Sequence, residues 1–222
     1  MGNAAEVDKE FDRALRIDPN SVNTIVLRGS YETLIGRLDA AKADVDRSLQ
    51  LDPLSPIPPL GLEILHFKKR DYRGVIEAHA RTAAIDPSFV YGDSWVGASY
   101  RELGDYPAAL REYAAAVKSL GGAPMYGLAL TFHRMGREAE ARSVLREMEA
   151  LAATKYVPLG GRAVAYAALG ELDKAADFFR QAFEKRELHI IYIRTLSEMK
   201  PLLEDPRGRE VAAEIDTLLQ KK

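Results

Sequence analysis

The chain contains no cysteine. That removes disulfide and thiol chemistry and fits a reducing compartment, so a cytoplasmic location is expected. It also lacks any apolar run long enough to span a bilayer, and its first residues carry no secretory h-region. Strong net charge is missing too. Lysine and arginine total 31 against 33 aspartate and glutamate, a balance of −2, so no net field would hold nucleic acid or an acidic membrane. The opening Met1-Gly2 has the start of a myristoylation signal, but Glu6 stands where a hydroxyl residue is required. Gly160-Gly161 has no following Lys-Ser/Thr and lies in a helix-and-loop context, which excludes a phosphate loop. Neither a nucleophile near His133 nor a placed set of carboxylates is nominated by spacing, so the chain is read as a non-enzyme without a cofactor.

What is present is repetition. Leu103-Gly104-Asp105-Tyr106-Pro107-Ala108-Ala109 returns as Ile35-Gly36-Arg37-Leu38-Asp39-Ala40-Ala41, Met135-Gly136-Arg137-Glu138-Ala139-Glu140-Ala141 and Leu169-Gly170-Glu171-Leu172-Asp173-Lys174-Ala175. A weaker copy centres on Arg70. Successive markers 36, 70, 104, 136 and 170 are 34, 34, 32 and 34 residues apart, the interval of a two-helix unit. Asp-Pro pairs at Pro19, Pro53 and Pro87 keep the same 34-residue step and stop helices. Small residues recur twelve apart, Gly29 with Ala41, Gly97 with Ala109, Ala129 with Ala141 and Ala163 with Ala175. They let paired helices approach closely, while the loop glycine ends the first helix in the left-handed conformation.

These residues resemble the tetratricopeptide repeat, best in Val96-Gly97-x2-Tyr100 with Ala109-x3-Tyr113 and Ala116, and in Ala163, Tyr166, Gly170, Ala175, Phe179 and Ala182. The expected fold is an all-α, right-handed superhelical solenoid of about five TPR-like helix-turn-helix repeats with a C-terminal capping helix. Residues 1–21 are expected to be a truncated repeat or an N-terminal capping helix, 22–187 the five repeats and 188–222 the cap segment. A second helix without its first suggests a piece of something longer, cut inside a repeat; a natural lone capping helix is the alternative. In the tail, 189–194 is a short apolar run, 200–207 a turn-rich connection, and 210–220 an amphipathic helix. Together with Tyr166–Phe179, the Pro201–Pro206 ending resembles C-terminal repeat domains of bacterial multi-domain signalling proteins.

In the resembling family, first helices line a concave side that binds peptides. Stripes at i, i+3, i+7 and i+10 give a groove whose partner-binding candidates are Leu60, Ile64, Phe67, Tyr91, Ser94, Arg101, Tyr126, Leu130 and His133. Its apolar, aromatic middle suits an amphipathic helix or apolar segment of a partner protein, with Arg101 and His133 fixing polarity. The lysines and asparagines of a chaperone clamp are mostly missing, and the same stripes could instead be buried by neighbouring helices or the chain's own tail. The alternative function is a regulatory or sensory tail acting on its own effector domain. The second repeat is the most divergent. It opens with Pro56, Pro58 and Pro59, which should delay its first helix, and it carries Glu63, His66 and His79 where apolar residues are usual. Those three are a metal or acid-base site, a hydrogen-bonded polar cluster, or the mark of a one-residue slip that turns Ile64 and Phe67 inward.

Overall fold

A computed structural model describes residues 4–89, 95–119, 125–187 and 190–220. Among them there are fourteen α-helices and no strand. Two compact units divide the chain within one helix, Ala4–Glu112 and Tyr113 onward.

The first unit contains α1 (Ala4–Ile17), α2 (Val22–Ile35), α3 (Leu38–Leu51), α4 (Ile57–Lys68), α5 (Tyr72–Ile85) and α6 (Trp95–Glu102); α7 (Tyr106–Ser119) begins in it. Turns of two or three residues join the members of each pair. Each turn repeats one hydrogen-bond motif: Gly36 N–H donates to the Thr33 carbonyl and Arg37 N–H to the Glu32 carbonyl, as Arg70 to Phe67 and Asp71 to His66. This is a Schellman closure, which satisfies carbonyls that a helix end would otherwise strand. The next helix then starts at once, capped at Asp71 by a carboxylate that accepts from Gly74 N–H at 3.1 Å. The close approach of α2 and α3 rests on Gly29: a Cβ there would meet the Asp44 Cβ at 3.1 Å. Ala41 and Val45 beneath it are fully buried. The prolines of α4 do not interrupt it, since Pro58 and Pro59 occupy its first turn, where a missing N–H costs nothing.

In the second unit, α8 (Tyr126–Arg134) pairs with α9 (Glu138–Ala152) and α10 (Leu159–Ala168) with α11 (Leu172–Glu184). The tail is α12 (Ile190–Ile193), a 3₁₀ turn (Ser197–Met199), α13 (Lys200–Glu204) and α14 (Pro206–Gln220). The turn-rich connection expected over 200–207 is therefore corrected. Pro201 lies in the first turn of α13 and Pro206 opens α14, so both prolines start helices. Ile190, Ile193, Met199, Leu202 and Ile215 are fully buried, and α14 lies on α11. There Arg180 holds Glu214 at 2.5 Å. Gly121-Gly122 and His189 lie outside the described residues.

Candidate protein-interaction surface

In the first unit the first helices α2, α4 and α6 stack on one another. Their core-facing residues are set by ring packing: Phe67 meets Trp95 at 5.2 Å and Tyr72 at 5.5 Å between centroids. Phe67 and Leu60 are each only 7% exposed, so both serve mainly as core. Arg101 is 2% exposed and pairs with Glu102 at 3.3 Å. Ile64 is half-buried and reaches the surface. Tyr91 and Ser94 lie outside the described residues.

The open stripe of α2 is displaced from the expected one. Val26 and Thr33 are buried, whereas Asn23 is exposed, Ser30 and Leu34 are half-exposed, and Leu27 is 58% exposed. Positions 23, 27, 30 and 34 share a face. The Lys68 ammonium donates to the Leu34 carbonyl at 3.5 Å, which sets the end of the α4 stripe beside that of α2. Leu27 was missed because spacing gives a stripe but not its rotation about the helix axis. Its only sequence signal is a large apolar side chain where the next copy has Gly61.

In the second unit, Leu130 is fully buried. Half-buried Tyr126 covers Gly161, where a Cβ would lie 2.9 Å from the ring. His133 is half-exposed and bonded to Glu138 at 2.6 Å. The α10 stripe is taken by the chain itself. A Cβ at Gly160 would meet Ile193 of α12 at 2.8 Å. From α8, Arg134 Nε donates to Glu198 in the 3₁₀ turn at 2.8 Å. Glu187 closes the start of α10, accepting from Leu159 N–H and Gly160 N–H at 2.8 Å and from the Tyr156 hydroxyl at 2.7 Å. Burial and this carboxylate push the Tyr156 phenol up to about 12.

Glu63, His66 and His79 do not converge. Glu63 is buried and lies 3.3 Å from His79 Nδ1, while His66 turns to Asp71 at 2.7 Å. Among the described residues no three histidine or carboxylate side chains are placed to hold a metal. Glu63 is buried and Ile64 half-buried, as in the unslipped register, whereas Phe67 is buried as the slip would have it. The His79 imidazole is held above its ordinary value, chiefly by its bond to Glu63 and against the cost of burial. On another side of α2, a 460 Å³ cleft is lined by Asp8, Asp12, Arg28, Glu32, Ala40, Ala43 and Asp44. Arg28 grips Asp44 there at 2.7 and 2.5 Å. Burial raises the Glu32 carboxyl despite Arg37.

Comparison with known proteins places this architecture. No protein-family model matches the chain, and no curated protein matches it. Among solved structures it is similar to yeast Tom70, with a TM-score of 0.53 and 19% identity over 97% of this chain and 47% of that one. It also matches the Naa15/Naa10 complex bound to HypK-THB, with a TM-score of 0.41 and 16% identity over 94% of this chain and 33% of that one. The chain thus spans less than half the length of either. The fold is a helical repeat of the tetratricopeptide type.

Proposed function

We propose that the chain is a non-enzymatic protein-interaction module that binds a helical or apolar segment of a partner protein on its first-helix surface. One observation carries this reading: Leu27 stands 58% exposed on a stripe with Leu34, beside a stripe in which Ile64 reaches the surface. Exposed apolar side chains on adjoining helices suit the apolar face of an amphipathic helix laid against them. The expected polar anchors Arg101 and His133 contribute less directly, being held by Glu102 and Glu138. A second reading, a regulatory tail that receives a segment of its own polypeptide, draws support from the α10 stripe, which already accepts Ile193 in cis.

The test is a pull-down read by mass spectrometry, with immobilised wild type beside a Leu27→Asp, Ile64→Asp variant whose circular dichroism is unchanged. A protein held by the wild type and lost by the variant supports the surface, and its bound segment should be an amphipathic helix. Equal retention by both would overturn it.

A further inference from the structure

The turns that join first to second helices can be compared copy by copy. Four of them place Ile35, Leu103, Met135 or Leu169 before the marker and Gly36, Gly104, Gly136 or Gly170 at the marker itself. The α4–α5 turn has Lys69 and Arg70 there. Three residues past the marker the other copies have Asp39, Pro107, Ala139 and Asp173, and this one has Arg73. All five turns close with the same backbone hydrogen bonds, so the fold does not call for these cations. Two of them oppose it. Arg70 occupies the left-handed region at φ 58°, where a Cβ is strained, and Arg73 is the second residue of α5, beside the positive end of the helix dipole. Residues held against local preference point to a role outside folding.

All three side chains are exposed, and none makes a hydrogen bond or ion pair among the described residues. The carboxylate within the turn is otherwise engaged: Asp71 accepts from Gly74 N–H at 3.1 Å and meets His66 Nδ1 at 2.7 Å. The neighbouring turns do not extend the patch. Arg37 in the α2–α3 turn is held by Asp8 and Glu32, and the α6–α7 turn presents Asp105, which caps α7 at Ala108 N–H. A nucleic acid or an acidic membrane is held by a basic excess spread over a whole face. Here the chain's balance is −2 and the three cations are confined to one turn, a footprint that fits the few carboxylates of a short segment.

We propose that the α4–α5 turn, through Lys69, Arg70 and Arg73, binds a short acidic segment of a partner protein. The contact rests on the reading of the chain as an interaction module, and it is separate from the Leu27 and Ile64 surface because it uses charge where that surface uses apolar area.

The probe is a fluorophore-labelled hexaglutamate peptide, titrated with the full chain and followed by anisotropy. Saturable binding is expected, weakening as added salt screens the contact. The variant Lys69→Leu, Arg70→Gly, Arg73→Ala installs residues that other turns of the array already carry, so its circular dichroism should be unchanged, and it should weaken binding about tenfold. Arg81→Ala, Arg111→Ala, Arg146→Ala removes the same charge from exposed positions elsewhere and should leave binding within about twofold. Absence of saturation up to about 1 mM, or equal weakening by the two triple variants, overturns the proposal. Hexaglutamate binding retained by Leu27→Ser, Ile64→Ser and lost by the turn variant supports it whatever the pull-down returns. Loss with Leu27→Ser, Ile64→Ser but not with the turn variant would assign the peptide to the first-helix surface, overturning this proposal while leaving that reading intact. Tighter binding of a single-stranded oligonucleotide or of phosphatidylserine vesicles, abolished by the turn variant, would make the occupant a nucleic acid or a membrane and overturn it as well.

Discussion

Arg70 shows how one residue can depart from the repeat and still obey its geometry. Gly36, Gly104, Gly136 and Gly170 end their first helices at φ of 88°, 81°, 72° and 75°, and Arg70 does the same at 58°. A side chain with a Cβ pays for the left-handed region in steric strain. Since Arg70 is exposed and has no partner among the described residues, Arg70→Gly should stabilise the protein by about 0.5–1 kcal/mol, read as a higher urea midpoint. Gly104→Ala should lower it, because nothing but φ is at issue where no atom lies within 4 Å. His79 gives a prediction in pH. Its folded value is raised by Glu63, with Glu112 adding to the pull. Its contribution to stability is therefore complete below the ordinary imidazole value and is lost as pH rises through the folded one. The urea midpoint should fall across that window in the wild type, and this component should be absent in His79→Gln.

At the scale of elements, close helix approach is the governing feature. A Cβ at Gly127 of α8 would run into the ring of Tyr113, and the adjacent turn is fixed by Thr131 Oγ1 donating to the Gly127 carbonyl at 2.7 Å. Gly127→Leu should therefore cost about 2–3 kcal/mol in urea unfolding, as overpacking does; a cost below about 0.5 kcal/mol would mean that Tyr113 swings away freely. Helix pairs of this kind were legible in the sequence because the markers that make them are local. A glycine must adopt positive φ, an Asp-Pro pair must stop a helix, and small residues twelve apart must face each other. The tail was less legible, since Pro201 and Pro206 read as breakers although proline is welcome in a first turn. The exposed first-helix stripe was legible only to within one residue: Leu60, Phe67 and Leu130 have the right spacing but face the core. Nothing local records how far each helix is rotated towards its neighbour, so Leu27 emerged only with the packing.

For the molecule as a whole, stability in a repeat array is approximately a sum of helix-pair terms and nearest-neighbour interfaces, so the two ends can be compared by what each buries. Near the start, α1 contributes Ala4 as its sole buried residue, with Phe11 half-buried on Tyr31. Near the other end, α14 contributes Val211 and Ile215, at 1% and 0% exposure, and carries Glu214 and Asp216 to Arg180 and Arg194 at 2.5 and 2.6 Å. Burying one large aliphatic side chain is worth about 1.5–3 kcal/mol, whereas exposed ion pairs add little. Removing residues 206–220 should therefore lower stability by about 3–5 kcal/mol, and removing residues 4–17 by clearly less, with urea midpoints of the two truncations measured against the intact chain. The same asymmetry should appear in hydrogen exchange, where α1 amides exchange sooner than those of α10 and α11. An α1 truncation as damaging as loss of α14 would show that α1 makes stabilising contacts beyond Ala4 and Phe11.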